Sequence, residues 1–379
     1  MSANLMILGA TGETGRLLSP LLLEHTDAHL VLAGRHAQAL ERAAAALARP
    51  ERVRTRVVDA RAADALAPAL AGVDLVLVVA PLTGVLPDLA RAAARAGADL
   101  LDIQYSPAKV QALRALEPEL VAAGRTVITD GGFHPGLVAV LARAVEDRFD
   151  VLRSARVGSV LQEDWRALRP GPESMNEFVD MLGTAEPAHF RDGRWVKETW
   201  SSGGALRQFT FGPPFGRRTC YTMALEEMRL WAEGRPGLRD AGFYIAGFNP
   251  VVDHVLLPLI MLGVRVAPVR GRQPLARLLA FGLRAFRRPP YGTELRLEAG
   301  GERDGQPLEV TLTISHPSSY ALTAIPVAAT VRQWLDGGAR GPGVRLQALV
   351  VEPHRFLADM AAMGVKVVES APAAEAAMA

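Results

Sequence analysis

Gly9, Gly12 and Gly15 sit in the stretch Gly9-Ala10-Thr11-Gly12-Glu13-Thr14-Gly15, a G-x-x-G-x-x-G spacing close to the glycine fingerprint of dinucleotide sites. Glycines at such a turn let the chain reverse tightly and bring backbone N–H groups against a phosphate. The apolar run from Leu5 to Leu8 precedes it at strand length, and Leu17, Leu18, Leu21 and Leu22 follow at helical spacing. Strand, glycine turn and helix in that order predict a pyrophosphate site at the positive end of the helix. The alternative is a plain tight turn.

Further candidates fall at the ends of later apolar runs. Arg35 lies about twenty residues past the last motif glycine, where an NAD site would carry Asp or Glu for the ribose hydroxyl. A guanidinium there suits a 2′-phosphate by charge and bidentate geometry, which favours NADP; the alternative is a solvated surface arginine. Asp59 could accept from the adenine amino group or cap the next helix. Ala80-Pro81-Leu82 forms a small-residue loop beside which a nicotinamide half could pass.

The candidate catalytic residues are Asp102, Tyr105 and His134. Tyr105 and Lys109 have the Tyr-x-x-x-Lys spacing of short-chain reductases, but Pro107 between them places Tyr105 ahead of the helix, which argues for coincidence. His134 lies in Asp130-Gly131-Gly132-Phe133-His134-Pro135-Gly136-Leu137, a second backbone-dense turn. Its unperturbed pKa permits proton transfer near neutrality, and the alternative is a hydrogen-bonded loop histidine. Metal binding finds no support, since His25 and His29 straddle a turn and a strand and no Cys partner exists.

The elements that must position these residues alternate along the first 130 positions. Strands are expected over 4–8, 29–33, 54–58, 75–79, 99–103 and 126–129, with helices over 37–47, 86–96 and 107–123. Pro20 predicts a kink or a lost hydrogen bond in the first helix. The expected fold is α/β: an N-terminal Rossmann domain, doubly wound on a parallel sheet, followed by an α+β domain with a largely antiparallel sheet. In the second domain strands are expected over 155–161, 207–211, 243–246, 294–298 and 309–315, the last two as a hairpin around Gly300-Gly301 and Gly305, with a helix over 174–182. Trp165, Arg166, Phe178, Trp195, Phe209, Phe211, Tyr221 and Tyr244 are its candidates for a substrate floor, most of them expected in the core, and Arg166, Arg207 and His189 are its candidates for a substrate carboxylate.

Composition sets the outer bounds. With 379 residues and 49% apolar content, two domains are the natural expectation. The single Cys220 excludes an intrachain disulfide, and the N-terminus lacks a signal-type segment, so a reducing cytoplasmic setting is expected. A net charge of +2 gives no electrostatic case for nucleic acid. The apolar run 255–264 is too short for a spanning helix, which needs roughly twenty residues. Residues 273–288 read as a basic amphipathic helix, which either makes a peripheral membrane contact or packs on a domain or partner subunit.

Taken together, Gly9 to Arg16, Ala33-Gly34-Arg35, Asp102 and Gly132 to Leu137 resemble the saccharopine dehydrogenase-like family of NADP-binding reductases. Glu352-Pro353, Phe356-Leu357 and Met363-Gly364-Val365 are similar to that family's C-terminus. The resemblance implies that Gly9, Thr11, Gly12, Thr14 and Gly15 hold the pyrophosphate, Arg35 the 2′-phosphate, and Ala80 with Pro81 the ribose-nicotinamide lane. It further implies a Rossmann domain over 1–133, a substrate and dimerisation domain over 134–320, and a segment 321–379 returning to the first domain. Several members carry Asp where this chain has His134, so that acid's role does not transfer. The expected protein is a homodimeric NADP(H)-dependent oxidoreductase moving hydride to or from a C=N or C=O group of a small molecule. A non-catalytic NADP-binding sensor or membrane-associated interaction protein is the alternative.

Overall fold

The computed structural model describes residues 2–168, 171–200, 202–267 and 270–370. The chain divides into two compact units: one takes it as far as Leu137 and again from Tyr320 to Met363, the other takes Val138–Ser319 and the chain from Gly364. In chain order the first strands are β1 Asn4–Leu8, β2 His29–Gly34, β3 Val53–Val57, β4 Leu75–Val78, β5 Asp99–Asp102 and β6 Thr126–Thr129. Next come β7 Val151–Gln162, β8 Ala188–Arg191, β9 Arg194–Lys197, β10 Leu206–Thr210 and β11 Arg217–Met223. The series closes with β12 Asp240–Ala246, β13 Gly292–Arg303, β14 Gln306–His316, β15 Gly343–Leu346 and β16 Lys366–Ser370.

The first unit is built on one parallel sheet in the order β15-β6-β5-β4-β1-β2-β3. Its central strands are largely apolar, β4 along its whole length, because helices must cover both faces of a parallel sheet. Leu5, Ile7 and the run Leu75 to Val78 are fully buried, each large side chain contributing roughly 1.5–3 kcal/mol of transfer free energy. The helix Leu86–Arg95 turns Leu86, Leu89, Ala90 and Ala93 inward at three- and four-residue spacing. Strand order 3-2-1-4-5-6 is that of a dinucleotide-binding sheet, extended here by β15 beside β6. The first helix, Glu13–His25, continues through Pro20.

The second unit holds a mixed sheet in the order β10-β11-β12-β7-β13-β14-β16, with β8 paired to β12 and β9. Only β12 with β7 runs parallel among these pairs; the rest are antiparallel. The β13–β14 hairpin turns on Asp304 (φ 52°) and Gly305 (φ 73°), two left-handed residues whose twist matches the strands. Gly300 and Gly301 are not part of that turn, as the glycine pattern suggested, but lie within β13 at a register shift against β7. Phe209, Phe211 and Tyr244 are core residues around Cys220, whose thiol burial pushes up to about 12. A separate cluster joins the helices Pro172–Thr184, Leu257–Val266 and Arg272–Ala285 through Met175, Val179, Ile260, Ala276, Leu279 and Leu283.

Candidate functional site at the carboxyl ends of the parallel sheet

β1 delivers its last residue, Leu8, to a turn that only glycine tolerates. Gly9 has φ +96°, and a Cβ there would stand 2.8 Å from the Ala80 Cβ and 2.9 Å from the Ala80 nitrogen. The Gly9 N–H donates to the Ala33 carbonyl at 3.2 Å, so the glycine lies between the ends of β2 and β4. Gly15 is closed as well, since a Cβ would meet the Gly9 oxygen at 2.3 Å. The structure therefore gathers Gly9, Gly12, Gly15 and Ala80, and places Arg35, exposed, two residues beyond Ala33.

The N–H groups at this turn divide by role. Gly12 closes it by donating to the Gly9 carbonyl at 3.0 Å, and the first helical bond runs from Arg16 N–H to the Gly12 carbonyl at 3.0 Å. Glu13, Thr14 and Gly15 are thus left without intrahelical acceptors, and no side chain caps the helix. A positive helix end with open donors and no room for a Cβ is the geometry that a pyrophosphate fits. Thr11 is half-buried and Thr14 buried at the same turn. Asp59, exposed after β3, accepts from the Arg61 N–H at 3.0 Å, while the N-cap of the following helix is Ala62.

At the ends of β5 and β6 the structure assembles a buried ion cluster that spacing did not reveal. Lys109 Nζ donates to Asp102 Oδ1 and to Asp130 Oδ1, both at 2.8 Å, and to the Gln104 carbonyl. The Lys109 and Asp102 side chains have no exposed surface. Burial alone would lower the Lys109 pKa, but the charges of Asp102 and Asp130 and their hydrogen bonds outweigh it and hold the ammonium above its ordinary value. Lys109 is therefore committed to two carboxylates and does not serve Tyr105, which precedes the helix Pro107–Arg114. Asp102 Oδ2, Gln104 Oε1 and Thr129 Oγ1 are buried without a hydrogen-bond partner among the described residues.

The loop after β6 is held by its own backbone and by one distant amide. Asp130 is left-handed (φ 54°), and the Gly131 N–H donates to the Asp102 carbonyl at 2.8 Å. Gln347, fully buried, accepts from the Gly132 N–H at 3.3 Å and donates to the Gly132 and Gly136 carbonyls, each at 3.0 Å. His134 rides on this loop with its ring centroid 3.7 Å from that of Phe133. Burial lowers its pKa to about 4, so the imidazole is neutral at physiological pH. The expectation of a group titrating near neutrality is corrected: burial removes the imidazolium that a proton donor needs.

Two of these features lay beyond sequence reasoning. Lys109 is one of only three lysines in the chain, a hint of a special environment that composition offers and spacing does not. Gln347 carries no signal at all, being a lone amide 215 residues from Gly132.

The parallel sheet and its glycine turn define an α/β nucleotide-binding domain. Residues 5–128 match the saccharopine dehydrogenase NADP binding domain. The N-terminal unit thus matches an NADP-binding domain model over about a third of the chain, and its cofactor is NADP. Among solved structures, apo saccharopine dehydrogenase (L-Glu forming) from Saccharomyces cerevisiae is similar, with 18% identity, a TM-score of 0.73, and coverage of 98% of this chain and 100% of that one. This likeness is one of fold. A putative myo-inositol dehydrogenase from Sinorhizobium meliloti (14% identity, TM-score 0.47, 95% of this chain and 94% of that one) is a more distant match. So is a DAP dehydrogenase from C. glutamicum (14%, 0.47, 96% and 99%). No curated protein matches the chain.

Proposed function

We propose that the chain is an NADP(H)-dependent oxidoreductase that moves hydride to or from a C=N or C=O group of a small organic substrate. The observation that carries this reading is the NADP-binding domain match, on a glycine turn with no space for a Cβ. Glu13, Thr14 and Gly15 would hold the pyrophosphate through backbone N–H groups, with Thr11 beside them, while Gly9 and Gly12 shape the turn. Arg35 would take the 2′-phosphate, and Ala80 with Pro81 would border the ribose-nicotinamide lane. NADPH, when bound, supplies the hydride; the protein contributes orientation and exclusion of water. His134, held neutral by burial, suits a hydrogen-bonding role to the substrate rather than that of an acid or base near neutrality.

Isothermal titration with NADPH and NADH tests the cofactor site. Arg35→Gln is expected to weaken NADPH about tenfold or more and leave NADH unchanged, the loss of one charge-assisted contact. Equal loss for both cofactors would remove Arg35 from the phosphate role. Oxidation of NADPH against a panel of imines and ketones tests the reaction. A sensor without turnover is the second reading, favoured by the commitment of Asp102 to Lys109 and by the neutral His134. NADPH binding with no oxidation across the panel would support it.

A further inference from the structure

Four large aliphatic side chains of the second unit stand in water along one helical stripe. Val255 is 51% exposed, Leu259 53%, Leu262 59% and Val266 76%. Their spacing of four, three and four places them on a single face of the π-helical turn Val252–Leu256 and the helix Leu257–Val266 that continues it. The opposite face, with Val252, Leu256, Ile260 and Val264, already packs in the three-helix cluster. Apart from Asp253, His254 and Arg265 the segment is apolar, yet it is covered on one side only, and exposed apolar patches of this kind mark interaction surfaces.

The neighbouring helix Arg272–Ala285 presents a different chemistry. Arg277, Phe281 and Arg284 recur at i, i+4 and i+7, and Phe281 is 61% exposed. With Arg166, Ala280 and Ala285 they line an open hollow of about 420 Å³. Arg272 and Arg287 pair with Asp180 and Asp164, but Arg265, Arg277, Arg284 and Arg288 are exposed with no carboxylate in ion-pair distance among the described residues. From 251 to 291 the sequence has seven arginines and one acid, Asp253, a net of +6 within a chain of net +2, so the remainder is −4.

We propose that these two helix faces dock on a membrane surface bearing anionic lipids, the aliphatic stripe entering the acyl boundary and the arginines meeting the headgroup phosphates. Apolar area and cationic charge act together at such a surface. A second copy of the chain is the poorer occupant, because it would bring these arginines against their own equivalents. Among the described residues no helix is long and apolar enough to cross a membrane, so the contact is peripheral. The inference stands apart from the cofactor reading.

Flotation of the full chain with vesicles tests it, comparing phosphatidylcholine alone with phosphatidylcholine mixed with phosphatidylglycerol, at low and high salt. Partition is expected to be about tenfold or more stronger on the anionic vesicles and to fall with salt. Leu259→Ser with Leu262→Ser, and separately Arg277→Gln with Arg284→Gln, should each lower it about tenfold. Circular dichroism and NADPH titration establish that both variants are folded. Equal or absent flotation on the two vesicle types overturns the proposal, as does flotation that neither pair of substitutions reduces. A concentration-dependent dimer in sedimentation that the Leu259 and Leu262 changes dissolve would assign the face to self-association instead.

Discussion

Burial of His134 makes folding sensitive to mild acid. Its pKa of about 4 in the folded chain lies below the ordinary value of 6.5, so between those pH values the unfolded chain binds the proton and the folded chain does not. Stability attached to this residue is therefore complete above pH 6.5 and declines as pH falls towards 4. At pH 5 the loss amounts to about 2 kcal/mol. Urea unfolding at pH 7 and pH 5 should show that much less acid destabilisation in His134→Gln than in the native sequence. Lys109 poses the opposite case, a buried cation between two carboxylates. Lys109→Met removes the cation and leaves Asp102 and Asp130 buried together, a loss expected to reach about 3–5 kcal/mol in urea unfolding.

At the scale of elements, the loop after β6 depends on a residue from the far end of the chain. Gln347→Ala removes three hydrogen bonds from the Gly132 and Gly136 backbone and leaves those groups buried. It should lower stability by about 3 kcal/mol or more and speed amide exchange at Gly132, read by hydrogen exchange mass spectrometry. The six strands expected in the first 130 residues fall within one or two residues of those formed, most directly for β4, which is buried on both faces and apolar throughout, and least so for β3, whose Val-Arg-Thr-Arg-Val is largely exposed at the sheet edge. β15 escapes such reasoning: Gly343–Leu346 is four residues long with Arg345 within it, and only its pairing with β6 makes it a strand. In the second sheet β11 is similarly obscured by Arg217, which is exposed, and Arg218, which donates to the Phe215 carbonyl and to Gln162 Oε1. The glycine turn was legible because steric exclusion of a Cβ leaves a mark in residue type. The Lys109 cluster was not, since a buried ion pair is defined by three-dimensional neighbours.

Over the whole molecule, charge and chain path are both unevenly distributed. The arginine-rich stretch 251–291 gives one part of the second unit a cationic face while the remaining sequence is net acidic. β16 covers β14 and forms the edge of the second sheet, pairing Lys366 to Ser370 with Ser315 to Thr311, and Glu369 meets Arg148 at 2.9 Å. A chain ended after Met363 keeps every strand of the parallel sheet and leaves β14 as a bare edge. Such an edge templates pairing between molecules, so the shortened chain should retain NADPH binding by titration while light scattering reports association.

The placement of β15 has a bearing on how the protein is made. Synthesis proceeds from the N-terminus, and domains ordinarily fold as they emerge. Here the neighbour of β6 and the amide that clamps the Gly132 loop arrive only after the whole stretch Val138–Ser319 has been translated. β14 likewise waits for β16. Until residues 343–370 leave the ribosome, β6 and β14 lack the strands that pair with them in the finished sheets, and a cell producing the chain must shield those two strands for that time.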